Sequence, residues 1–131
     1  MRRQSRELAL QVLFQTEFAP QISYQDLMDV LTTSLEQDVV KFADDIIKGV
    51  TTKKKEIDAK IQSASSHWKI ERMATIDRNI LRVAVFEMAF APTPLKPNIV
   101  INEAVEIAKK FGNTESAAFV NGLLDQVAKA H

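Results

Sequence analysis

The chain contains no cysteine. That excludes disulfides, thiolate metal ligands and a cysteine nucleophile, and it fits a reducing compartment. Glycine and proline are scarce, three and four among 131 residues, so tight turns are few and long helices are expected. The only histidines, His67 and His131, lie far apart, and position 64 is Ala, so no Glu-x-x-His pair of a di-iron bundle exists. Gly49, Gly112 and Gly122 are too dispersed to form a phosphate-cradling loop or a dinucleotide fingerprint. Ser63, Ser65 and Ser66 stand near His67, but a hydrolase also needs an orienting acid and an oxyanion site. No apolar run approaches the roughly 20 residues of a membrane span. Arg2, Arg3 and Gln4 follow Met1 with no apolar stretch, so no secretory leader is expected and the expected location is the cytoplasm. Excess charge is also missing: Lys plus Arg and Asp plus Glu balance at 17 each. Any nucleic-acid site must therefore be a local patch. These absences point to a binding protein without catalytic residues, metal or cofactor.

What is present is helical spacing. With 46% hydrophobic and 26% charged residues, the chain has a globular composition, and residues 1–131 are read as one domain. Leu8, Ala9, Val12 and Leu13 share a face of a first helix. Ser23 and Asp26 form a capping-box-like start for a helix carrying Tyr24, Leu27, Met28, Leu31 and Leu35. Asp38 is expected to cap the next helix. Its stripe runs from Val39 through Phe42, Ile46, Val50 and Ile57 to Ala64. This predicts one long helix weakened at Gly49, where Gly costs about 1 kcal/mol relative to Ala. Trp68 and Ile70 are expected to tuck the connection at 65–73 into the core. Residues 76–89 are apolar nearly all round, as a central helix should be. Three prolines in 91–97 end it. Ile101, Ala104, Val105 and Ala108 mark a helix stopped by Gly112. Asn113 or Thr114 starts the last, which carries Ala117, Val120, Leu124 and Val127. The expected fold class is all-α, a bundle of about seven helices.

On the first helix Arg3, Leu10 and Phe14 fall within about 40° of one another, with Glu7 beside them. Arg6 lies near this stripe and Arg2 precedes it. Arginines hold phosphates and an aromatic face stacks an unpaired base. The other reading makes Phe14 a core residue and the arginines a solvated terminus. Cations at a helix N-terminus oppose the macrodipole, so local stability does not account for them. Lys53, Lys54 and Lys55 point three ways on a helix and read as a solvated face. Asp77, Arg78 and Arg82 sit on the central helix. They are either offered to a partner or form a solvent edge with an Asp77–Arg82 or Glu87 interaction. Phe119 and Leu123 leave the main stripe of the last helix and, with Glu115, offer a second exposed aromatic edge or pack on a neighbour. Gly122, in mid-helix, suggests a close helix crossing.

Four blocks, RRQSRELALQVLFQ (2–15), IDRNILRVAVFEM (76–88), INEAVEIAKKFG (101–112) and FVNGLLDQVAK (119–129), together resemble the NusB family of bacterial transcription antitermination factors. The likeness covers nearly the whole chain. It implies an all-α fold of two small packed bundles and no catalysis. It implies binding of the boxA element of nascent RNA, chiefly in ribosomal RNA operons. It further implies a partner, the small-subunit ribosomal protein NusE, a Nus-factor complex on RNA polymerase, and in some members self-association as a homodimer. Carried over by position, the RNA-contacting residues are Arg2, Arg3, Arg6, Phe14, Glu115 and Phe119, joined by the basic Arg82. The partner-contacting residues are Asp77 and its neighbour Arg78. Gln4 and Ser5 make the arginine run sparse, Phe14 stands where relatives carry tyrosine, and Glu115 is acidic in a proposed RNA edge. RNA affinity without NusE is therefore expected to be weak. Two alternatives remain. An RNA-binding module of a ribosomal RNA cytosine methyltransferase would need a glycine-rich α/β domain that this sequence does not contain. A helical adaptor or dimerisation protein would have no RNA role.

Overall fold

A computed structural model describes residues 2–130; Met1 and His131, the second of the two histidines, lie outside the described residues. The helical spacing becomes α1 (Arg2–Phe18), α2 (Tyr24–Leu31), α3 (Gln37–Thr52), α4 (Lys54–Ala64), α5 (Thr75–Val85), α6 (Pro97–Phe111) and α7 (Thr114–Ala130). A 3-10 turn (Ile70–Arg72) precedes α5, and a π-turn (Phe86–Phe90) continues it. No strand occurs among the described residues, and none of their helices is long and apolar enough to cross a membrane.

α1 packs on α3 and α5, with α2 at its side, while α6 pairs with α7 and α4 lies along α7. α5 touches both groups, which explains its composition. Every residue from Asn79 to Val85 is buried, so a helix here has no free face to leave polar. Local signals place four of the ends. The Ser23 hydroxyl accepts from the Asp26 N–H at 3.0 Å, and Asn113 Oδ1 accepts from the Ser116 N–H at 2.8 Å. Pro97 sits in the first turn of α6, where its missing N–H costs nothing. The N–H of Gly112 closes on the Ala108 carbonyl at the other end.

Four expectations are corrected. The single helix over 38–64 is two, because Lys53, at φ −102° and ψ 14°, leaves helical geometry. The break lies at Lys53, not at Gly49. Gly49 stays helical and is required for another reason: a Cβ there would sit 2.2 Å from two ring carbons of Phe86. Asp38 is not a cap, since α3 already starts at Gln37. Trp68 is 57% exposed, and Ile70 and Met73 anchor the connection. Gly122 faces open space, with nothing within 4 Å of a Cβ built there, so no helix crosses at that point.

Candidate nucleic-acid interface

Three arginines open α1, and the fold gives each a different task. Arg3 donates from Nε and Nη2 to the two carboxylate oxygens of Glu103, at 3.0 and 2.8 Å, and its side chain stays 48% exposed. Arg6 is 7% exposed. It donates to both oxygens of Glu87 at 2.7 and 3.0 Å and lies 3.5 Å from Glu103. Glu87 belongs to the π-turn and Glu103 to α6, so these carboxylates fasten the start of α1 to both. Arg6, expected as an RNA contact, is thus buried in this structure and bonded within the protein. Arg2 is exposed and lays its guanidinium 3.8 Å from the centroid of the Phe42 ring.

Further along the same face, Glu7 accepts from Lys110 at 2.9 Å, and Leu10 is buried. Phe14 is half-buried. It stacks nearly parallel on Phe18, with centroids 6.0 Å apart and planes 4° apart. Phe18 is 76% exposed; sequence reasoning passed over it, although its spacing of four from Phe14 was available. Arginines and aromatics therefore occupy opposite ends of one helix, about 12–24 Å apart at 1.5 Å per residue. On α7, Glu115 is exposed in the first turn and Phe119 is partly buried against the core. Leu123 is 7% exposed, so the second aromatic edge reduces to Glu115 and the rim of Phe119.

The charges of α5 are not a solvent edge. Arg82, 6% exposed, donates to both oxygens of Asp58 at 2.8 and 3.0 Å and to Glu17 at 3.2 Å. Glu17 also accepts from Arg78 and, at 2.9 Å, from Asn79. Arg78 in turn donates to the carbonyls of Ile70 and Met73 at 3.2 and 3.0 Å. This network ties α1, α4 and α5 together and buries Arg82, expected as an RNA contact, among carboxylates. Asp77 is 8% exposed and, among the described residues, its Oδ1 has no hydrogen-bond partner. The expected exposed Asp77, and the expected Asp77–Arg82 pair, are both corrected. The two arginines of this buried helix find their partners within the bundle.

Two carboxyls are held below their ordinary value of 4.5. Burial alone would raise Glu17, but hydrogen bonds from Asn79 and Arg78 and the nearby Arg82 charge outweigh it. The hydrogen bond from Arg3 lowers Glu103. A lowered folded value means weaker proton binding than in the unfolded chain. The stability these groups supply is present above about pH 4.5 and is lost as pH falls through their lowered values. Glu17→Gln should therefore flatten the acid limb of a stability–pH profile. An acid limb as steep as that of the parent would show that Glu17 carries none of it.

A model of the NusB family matches residues 3–129. The chain is 68% identical to the transcription antitermination protein NusB of Bdellovibrio bacteriovorus, over 99% of this chain and 96% of that protein. It is 45% identical to that of Myxococcus xanthus, over 98% and 95%. Among solved structures, NusB of T. maritima superposes with a TM-score of 0.89 at 34% identity, covering 100% of this chain and 92% of the other. NusB in a crystal structure with NusE and dsRNA superposes at 0.87 and 25% identity, covering 99% and 97%. With its family blocks on α1, α5, α6 and α7 and a fold that superposes end to end on that of NusB, the chain belongs to the NusB family.

Proposed function

We propose that this protein is a transcription antitermination factor that binds boxA RNA together with NusE and joins a Nus-factor complex on RNA polymerase, chiefly on ribosomal RNA operons, in the cytoplasm. The observation that carries this reading is the end-to-end likeness to NusB in a structure with NusE and dsRNA. Arg2 and Arg3 supply the phosphate contacts, because they alone of the first-turn arginines keep exposed side chains. Phe14 and Phe119 provide stacking edges, and Glu115 accepts from base donors. Arg6 and Arg82 act indirectly, by holding α1 in place.

The test is a titration of labelled boxA RNA, with and without NusE, across a range of salt. Binding should be weak alone, stronger with NusE, and salt-dependent. Arg3→Ala should reduce the single-strand salt slope by about 0.7. It should leave the melting temperature nearly unchanged, since an exposed ion pair contributes about 0–1 kcal/mol. Salt-independent or absent binding would favour the helical adaptor.

NusE is proposed to meet the start of α5. Asp77 places a carboxylate close beneath the surface there, where its field favours a basic partner, and ribosomal proteins are commonly basic. Asp77→Asn preserves shape and removes the charge. The variant should fold about as stably as the parent, because relief of a buried oxygen without a partner offsets the lost charge in the first turn of α5. Its capture by NusE should weaken. Unimpaired capture would place the partner surface elsewhere.

A further inference from the structure

The first turn of α1, α3, the π-turn and residues 91–99 surround a cleft of about 1330 Å³. A single small-molecule site occupies roughly 300–1,000 Å³, so this cleft has room for more than one nucleotide-sized group. Phe42, Phe86 and Phe90 give it aromatic walls. Arg2, Lys48 and Lys53 supply rim cations. Their pairing differs. Lys48 meets Asp44 at 2.9 Å, Lys53 reaches Glu56 only at 3.9 Å, and Arg2 forms no ion pair among the described residues. Arg2 instead holds its flat guanidinium over Phe42.

We propose that this cleft receives an unpaired base of the bound RNA strand, stacked on the Arg2 guanidinium above Phe42, with Lys53 near its phosphate. The inference rests on the RNA-binding reading above. A planar cation lying on an aromatic ring presents a second flat face, the surface on which unpaired bases stack. Because the pair is already formed, less side-chain freedom is lost when the base arrives. An apolar peptide would fill the same walls but would leave the Arg2 charge without a counter-charge. The cleft is also continuous with Arg3, which lines it and carries the proposed phosphate contact.

The full chain is titrated with fluorescein-labelled boxA RNA at saturating NusE. Arg2→Lys keeps the charge and removes the plane. Phe42→Leu keeps apolar volume and removes the ring. Each should weaken binding about tenfold, with the salt slope unchanged and melting curves confirming a folded protein. A series of the same RNA with single abasic positions supplies the specific signature. The parent protein should lose about tenfold at one position, and Arg2→Lys should lose little more with that same RNA. Arg2→Lys binding like the parent, or both proteins losing equally at every abasic position, overturns the cleft proposal. If Arg3→Ala still lowers the slope in that case, the RNA reading survives. Absence of salt-dependent binding by the parent overturns both. Loss of NusE capture by Arg2→Lys without RNA would make the cleft a protein-docking surface and overturn this proposal.

Discussion

Replacing Arg6 by alanine should lower the unfolding free energy by about 3–5 kcal/mol, the cost of breaking a buried ion pair from one side. Glu87 is 4% exposed, and its two hydrogen bonds from Arg6 would have no replacement. Arg3→Ala, three residues earlier, should barely move the melting curve, because Glu103 remains 25% exposed and can rehydrate. Urea denaturation of the two variants measures the contrast. The double variant Arg6→Met/Glu87→Leu should recover most of the loss, since a buried pair replaced by apolar groups of similar volume is often neutral or stabilising. A loss of less than about 1 kcal/mol for Arg6→Ala would mean that Glu87 finds water or another donor.

Gly49→Ala should destabilise the fold by about 1–3 kcal/mol, although helix propensity alone makes Ala better than Gly by about 1 kcal/mol. The sign is set by Phe86. Its ring is 7% exposed and occupies the space a Cβ would need, 2.2 Å away. The ring also walls the cleft, so making room means swinging it out of its buried position and losing its packing. Gly122→Ala is the counterpart. With open space around it and no positive φ, the same substitution should stabilise by about 0.5–1 kcal/mol. Thermal melts of the two variants should therefore move in opposite directions. Movement of both upward would mean that α3 and the π-turn separate easily.

Apolar spacing was enough to read the helices, because burial on one face is a local, periodic property. The split at Lys53 escaped it, since Val50 and Ile57 share a face whether or not the backbone breaks between them. The glycines were misread for a related reason. Gly49 and Gly122 are both helical, and only the position of Phe86 separates a required glycine from a dispensable one. The candidate site shows the same limit for charge. Arg3 and Arg6 look alike in sequence, and what distinguishes them lies 81 residues from Arg6, at Glu87, and 100 residues from Arg3, at Glu103. Likewise Arg82 answers to Asp58 and Glu17, on two other helices. The arginine end and the acidic position of α5 could be named from the chain. Which charges are spent internally could not.

The π-turn fixes how long the chain must be. Its backbone closes from the Ala91 N–H to the Phe86 carbonyl, five residues back, at 2.8 Å, one residue more than an α-turn contains. Deleting residue 88 or 89 would let the segment rewind as ordinary α-helix and turn Phe90 by about 100°. The ring would leave the wall it forms beside Phe42 and Phe86, and composition elsewhere could not compensate. Length changes are better absorbed in the exposed stretches at 20–23 and 92–94, where no buried residue depends on the count.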